Sequence, residues 1–173
     1  MGIYEFEGKR PVIGKATFVH PEATIIGDVT IGNGCYIGPG ARLRGDWGSI
    51  IIGSDSNIQE NCVIHVKPGE TVYLGERSHI GHGAILHGPV LGKHVVVGMG
   101  AIIMDNVRVG DGCCIGAGTL LPGGMVIESN KLIIGVPGKV VGDVDDSLKK
   151  NLDWGTGIYM ELPGRCFNGM KKI

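Results

Sequence analysis

The stretch LGKHVVVGMGAIIMDNVRVGDGCCIGAGTLL, residues 91–121, returns an aliphatic side chain at every sixth position: Leu91, Val97, Ile103, Val109, Ile115 and Leu121. Working outward, the series runs forward to Ile127. Backward it passes through Leu86, Ile80 and Leu74, then Ile64, Ile58 and Ile52, then Leu43, Ile37, Ile31, Ile25, Val19 and Ile13. Two positions before many of these stands a smaller residue, such as Ala23, Cys35, Ala41, Cys62, Ala84, Ala101, Cys113 or Thr119, and Gly commonly follows directly. Neither a helix with its period of about 3.6 nor a strand with its period of about 2 makes this pattern. Short strands wound into a solenoid do, with three hexapeptides to each triangular coil. Residue number then converts into height along the stack.

Composition agrees. Gly supplies 32 of 173 residues, far above the usual share of about 7%, and the six-residue period makes those glycines corners and not a flexible linker. A net charge of −1 leaves no basic footprint for nucleic acid, and no apolar run reaches the roughly 18 residues of a membrane span. The start of the chain lacks the basic and apolar regions of a signal peptide. Of five Cys, Cys35, Cys62 and Cys113 fill the small inward slot, where a thiol acts as a compact hydrophobe, and Cys114 and Cys166 have no assigned place. A reducing, cytoplasmic setting is expected.

The solenoid is expected over residues 1–141, with residues 1–12 as a leading strand or cap. Its spacing is broken three times: nine residues from Leu43 to Ile52, ten from Ile64 to Leu74, and five from Leu86 to Leu91. Insertions in a solenoid are expected to leave the stack as loops. After an exit turn at Ile134–Lys139, Asp145 or Asp146 can cap an α-helix over 142–166, with Gly155 and Gly157 weakening it and Pro163-Gly164 ending it. Residues 167–173 are expected as a tail.

Function is best sought where the repeat is broken by a costly residue. The corner slot after the aliphatic holds Arg44, Gln59, His65 and His87. Ile64 and Leu86 lie three repeats apart, so His65 and His87 occupy one slot on successive coils, with backbones about 4.8 Å apart. Two imidazoles so placed can share a metal ion, and tetrahedral zinc asks for a third protein ligand. His82 leaves from a different side of the triangle. It can complete the site of a neighbouring chain, which predicts a cyclic homotrimer with metal at each interface. Arg44, Asp46, Gln59 and Glu60 make a polar shell: Arg44 and Asp46 as an inter-subunit ion pair, Gln59 as an orienting amide, Glu60 as a base or an interface partner. His20 and His94 lack stacked partners and read as structural, and His79 should point outward to solvent or to a ligand's outer side.

The set LRGD (43–46), NIQENCVIH (57–65) and HIGHGAILHG (79–88) resembles the γ-class carbonic anhydrase family of the left-handed parallel β-helix, hexapeptide-repeat superfamily. The branch it looks most like is the one associated with phenylacetate and carnitine gene clusters, whose relatives include ferripyochelin-binding proteins. The resemblance covers about residues 1–166. It implies His65, His82 and His87 as ligands to Zn2+, with Fe2+ or Co2+ as alternatives. It also implies Arg44, Asp46, Gln59 and Glu60 as active-site residues, Tyr159 on the C-terminal helix approaching them, and a homotrimer acting on a small molecule. The activity implied is a lyase that hydrates CO2. The short insertion Trp47-Gly48-Ser49 holds no acidic residue to match the family's proton shuttle, so slow turnover is expected. The alternatives are a metal-dependent acyl-CoA thioesterase, a non-catalytic metal-holding module, and a hexapeptide acyltransferase using His as a metal-free base; three His in ligand geometry disfavour the last.

Overall fold

The aliphatic series forms one interior column on each side of the coil. In the computed structural model, which describes residues 2–173, Leu43, Ile64, Leu86, Ile103 and Leu121 stand in register on successive parallel strands. All five are essentially fully buried. Each contributes about 1.5–3 kcal/mol from leaving water. Backbone bonds join coil to coil rather than residue to near neighbour, as in Ile85 N–H to the Ala101 carbonyl at 2.9 Å and Gly98 N–H to that of Ile115 at 2.7 Å. The result is a left-handed β-helix of about seven turns with one C-terminal helix.

One side carries Val63–His65, Ile85–His87, Ile102–Ile103 and Leu120–Leu121. A second carries Thr71–Leu74, Val90–Leu91, Arg108–Val109 and Val126–Ile127. These two sides merge into a 12-stranded sheet, and the third is a separate 8-stranded sheet running from Phe18–Val19 to Gly138–Asp143. The merger has a local cause. The nine-residue spacing does not leave the stack as a loop: Arg42–Ile52 is one continuous strand that turns the corner. It pairs with Thr24–Ile31 on one edge and with both Val63–His65 and Thr71–Leu74 on the other. Strand-to-strand bonding through the corner outweighs the tendency of an insertion to bulge. The ten-residue spacing does leave a short connection, Val66–Glu70, between strands on the two sides.

Close stacking excludes side chains at the corners. A Cβ on Gly98 would lie 2.4 Å from the Ala117 nitrogen of the next coil, which explains the Gly after the aliphatic. All five Cys are free and buried, Cys114 and Cys166 included.

Beyond the antiparallel hairpin of Lys131–Gly135 and Gly138–Asp143 comes helix α1, Asp146–Gly169. Asp145 caps it, accepting from the Leu148 N–H at 2.7 Å. The helix does not end at Pro163; it runs through Gly155, Gly157 and Pro163 for 24 residues, so the expected boundary at 166 falls short. Interior Gly costs about 1 kcal/mol and Pro about 3 kcal/mol. Docking offsets this: α1 packs on Phe18–Val19, Tyr36–Ile37 and Asn57–Ile58, with Thr156, Pro163 and Cys166 buried against that side. Helix propensity loses to tertiary burial.

Leu86→Ala, which empties a slot between Ile64 and Ile103, should lower unfolding free energy by about 2–5 kcal/mol while the urea m-value stays unchanged. Equilibrium urea unfolding followed by circular dichroism checks both.

Candidate active site

Strand register brings Arg44 beside His65 and His65 beside His87, one coil apart. Their rings lie 5.1 Å apart between centroids, and His65 Nδ1 stands 3.1 Å from His87 Nε2. The other nitrogen of each ring meets a carboxylate: His65 Nε2 lies 3.0 Å from Asp46 Oδ1, and His87 Nδ1 lies 2.6 Å from Asp105 Oδ1. Each carboxylate in turn holds a cation. Arg44 reaches Asp46 Oδ2 at 2.5 Å, and Lys67 Nζ reaches Asp105 Oδ2 at 2.9 Å.

Burial alone would push both carboxyls up. Hydrogen bonds from Arg44 and His65 more than offset it at Asp46, and those from Lys67 and His87 do so at Asp105, leaving both below the usual carboxylate range. The two acids are therefore ionised at neutral pH. Asp105 and Lys67 are not among the residues read from the sequence. The slot after Ile103 is Met104, and the carboxylate comes from one residue beyond it; Lys67 sits in the Val66–Glu70 connection, outside the repeat.

The remaining residues gather elsewhere in the chain, on the 8-stranded side and its corner. Gln59 is buried, donating from Nε2 to Asn57 Oδ1 at 2.9 Å and lying 2.8 Å from His79 Nε2. The Tyr36 hydroxyl donates to Glu60 Oε1 at 3.0 Å, and Glu60 Oε2 meets His82 Nδ1 at 2.5 Å. Tyr159 of α1 packs edge-on against His79 and tilted over Tyr36. Burial, then the nearby Glu60 charge, raises both tyrosine pKa values.

His79 points away from the solenoid interior, but not to solvent, because α1 covers it. Burial, and then His82, brings its pKa down from 6.5 to about 4. Within one chain, then, His82 is engaged by Glu60 and stands on another side from the His65–His87 couple. Among the described residues no three His, Cys, Asp or Glu side chains converge as a cage for a metal ion.

A hollow of about 250 Å³ adjoins His65, lined by Ile26, Arg42, Arg44 and Val63 among others. A larger cavity of about 700 Å³, lined by Ile13, Val19, His20, Phe167 and Met170 among others, includes no residue of either polar cluster. Only the smaller hollow is lined by Arg44 and His65 of the charged cluster.

Residues 10–45 and 88–123 match the bacterial transferase hexapeptide (six repeats) family. The carnitine operon protein CaiE of Escherichia coli K12 is 42% identical over 169 residues, spanning 96% of this chain and 85% of that protein. The chain belongs to this hexapeptide family.

Two solved structures each have a TM-score of 0.90 and 34% identity. One, from Bacillus cereus, is provisionally described as an acetyltransferase and covers 93% of this chain and 94% of its own. The other, a hexapeptide transferase family protein from Anaplasma phagocytophilum, covers 94% and 96%. These likenesses correct the expectation of a carbonic-anhydrase-like lyase: proteins this similar are described as transferases. What stands of the wider resemblance is the hexapeptide superfamily and its left-handed β-helix. Among the described residues no helix is long and apolar enough to cross a membrane.

The His79 shift predicts a pH dependence of stability. Above about pH 6.5 both folded and unfolded chains carry His79 neutral. Between about 6.5 and 4 only the unfolded chain takes up the proton, so stability falls by up to about 1.4 kcal/mol per pH unit. Thermal unfolding midpoints should therefore drop less from pH 7 to pH 4 in His79→Gln than in the unaltered protein. Equal drops would show that His79 is not kept neutral.

Proposed function

We propose that this protein transfers an acyl group from a small thioester to a nucleophile, and that the His65–His87 couple is the reacting base. The observation that carries this reading is the pair of imidazoles 3.1 Å apart, each backed by an ionised carboxylate. A carboxylate behind an imidazole orients it and stabilises the imidazolium that forms on taking a proton, which is what a general base requires. The acetyltransferase and hexapeptide transferase descriptions of proteins 34% identical support the same class.

The step balances simply. An acceptor N–H or O–H gives its proton to the free imidazole nitrogen as its lone pair attacks the thioester carbonyl. The C–S bond breaks, and the departing thiolate takes the proton back. The hollow beside His65, with apolar Ile26 and Val63 and the guanidinium groups of Arg42 and Arg44, suits an acyl donor carrying negative charge. A second reading, thioester hydrolysis, differs only in having water as the acceptor.

The reading includes a cyclic homotrimer. His82, Glu60, Gln59 and Tyr159 lie on a different side of the chain from His65 and His87, and a neighbouring copy would bring the two halves together at the interface. The donor set also suits a divalent metal. His65 and His87 of one chain with His82 of a neighbour would hold Zn2+, Fe2+ or Co2+, since imidazoles backed by carboxylates are favoured ligands, and the ion would then occupy the lone pairs that take the proton in its absence. When bound, such an ion supplies Lewis-acid polarisation of a carbonyl oxygen.

Thiol release from acetyl-CoA in the presence of a panel of small amines tests the activity. His87→Ala should lower kcat by about 10²–10⁴-fold, and absence of release from any thioester by both the metal-free and the metal-supplemented protein would end the acyl-transfer reading. Water as the only acceptor would select hydrolysis.

Ligand sharing has its own check. Co-refolding His82→Ala with His65→Ala chains should restore metal content to a fraction of mixed trimers. A stable monomer on sedimentation, or no recovery, would remove the interfacial site.

A further inference from the structure

His65 and His87 present a problem that their partners resolve. Side by side at 3.1 Å, two neutral imidazoles have an obvious way to satisfy each other: one ring donates N–H to the bare nitrogen of the other. A couple closed in that way leaves no lone pair between the two rings for an incoming proton or cation, and turns the donor ring's bare nitrogen toward its carboxylate.

The outer contacts forbid this closure. Asp105 carries an ionised carboxylate with Lys67 on its Oδ2, so its Oδ1 can only accept. The Nδ1 of His87, 2.6 Å away, must then bear the hydrogen, which leaves Nε2 bare. Asp46, held by Arg44, does the same to His65: Nε2 bears the hydrogen and Nδ1 is bare. The two bare nitrogens are the ones that face each other. Two lone pairs converge on one point, each repelling the other until a third group arrives.

We infer that Asp105, held by Lys67, is a positioning residue that keeps the His65–His87 couple open by denying His87 the tautomer with which it would donate to His65. The ten-residue spacing between Ile64 and Leu74 thereby acquires a purpose, because the extra residues carry Lys67 to the carboxylate. The inference rests on the reading of His65 and His87 as the reacting couple, although its test does not depend on activity.

The asymmetry between the two halves sharpens it. On the Asp46 side the cation is Arg44, from the same corner of the strand Arg42–Ile52. On the Asp105 side the cation is a lysine on a separate connection, so the Asp105 half can be removed without touching the strand that turns the corner.

Imidazole 15N chemical shifts on metal-free protein with labelled histidine distinguish the two neutral tautomers directly. The unaltered protein at pH 8 should show His87 as the Nδ1–H form and His65 as the Nε2–H form. In Asp105→Ala, His87 should change to the Nε2–H form with a new hydrogen bond to His65. Co2+ affinity, measured by visible absorption, should fall about 10–100-fold.

In Asp105→Asn, a carbonyl oxygen can still accept from Nδ1–H, so the original tautomer and most of the Co2+ affinity should survive. This variant keeps the proposal open to refutation if the alanine form does not fold. Finding His87 as the Nε2–H form in the unaltered protein would overturn it. So would an unchanged tautomer in Asp105→Ala, or a changed one in Asp105→Asn. The expected tautomers without thiol release from any thioester would instead fault the acyl-transfer reading and leave this one standing.

Discussion

Everything in this molecule depends on coil-to-coil register, set by parallel backbone pairing around the interior aliphatic columns. Each strand is too short to be stable by itself, often two residues long. Its hydrogen bonds and its buried side chain both come from the coils on either side. A slip of one residue would turn Leu86 and its equivalents outward and break the ladder at the same time. Register is consequently specified twice, by burial and by bonding, and functional side chains inherit that precision. His65 and His87 face each other because Ile64 and Leu86 are stacked beneath them.

Against that rigid scaffold the polar groups are arranged in two halves on different sides of the triangle. One is a line of alternating charge and imidazole: Arg44, Asp46, His65, His87, Asp105 and Lys67. The other couples Tyr36, Glu60 and His82, with Gln59, Asn57 and His79 beside it under Tyr159. In water, ion pairs such as Arg44–Asp46 contribute little stability. Here they hold carboxylates ionised and oriented behind the imidazoles. The same couple would serve either a base or a metal site, since a lone pair given to a metal cannot take a proton, and ligand geometry read from spacing therefore did not separate CO2 hydration from acyl transfer. Similarity to proteins described as transferases supports the proposal of acyl transfer.

The C-terminal helix shows a different balance. Its local composition argues for an early stop, with two Gly and a Pro in its second half. It continues because the solenoid side beneath it offers Phe18, Tyr36 and His79 as a partly apolar floor. Phe167 packs edge-on against Phe18 at 5.3 Å, and Tyr159 against His79 at 5.2 Å. Covering that side also removes His79 from water, which lowers its affinity for a proton without any change in its sequence neighbours.

The six-residue period by itself determined the fold, the number of residues per coil, the interior column and the stacking of His65 on His87. A periodic structure maps spacing along the chain directly onto distance in space. The corner-turning strand Arg42–Ile52, the full length of α1, the burial of His79 and the joining of Asp105 and Lys67 to the site were decided only in three dimensions. These lie at insertions or off the repeat, where spacing no longer encodes position. There the outcome is set by competition among strand bonding, helix propensity and burial, and that competition is resolved by neighbours distant in the chain.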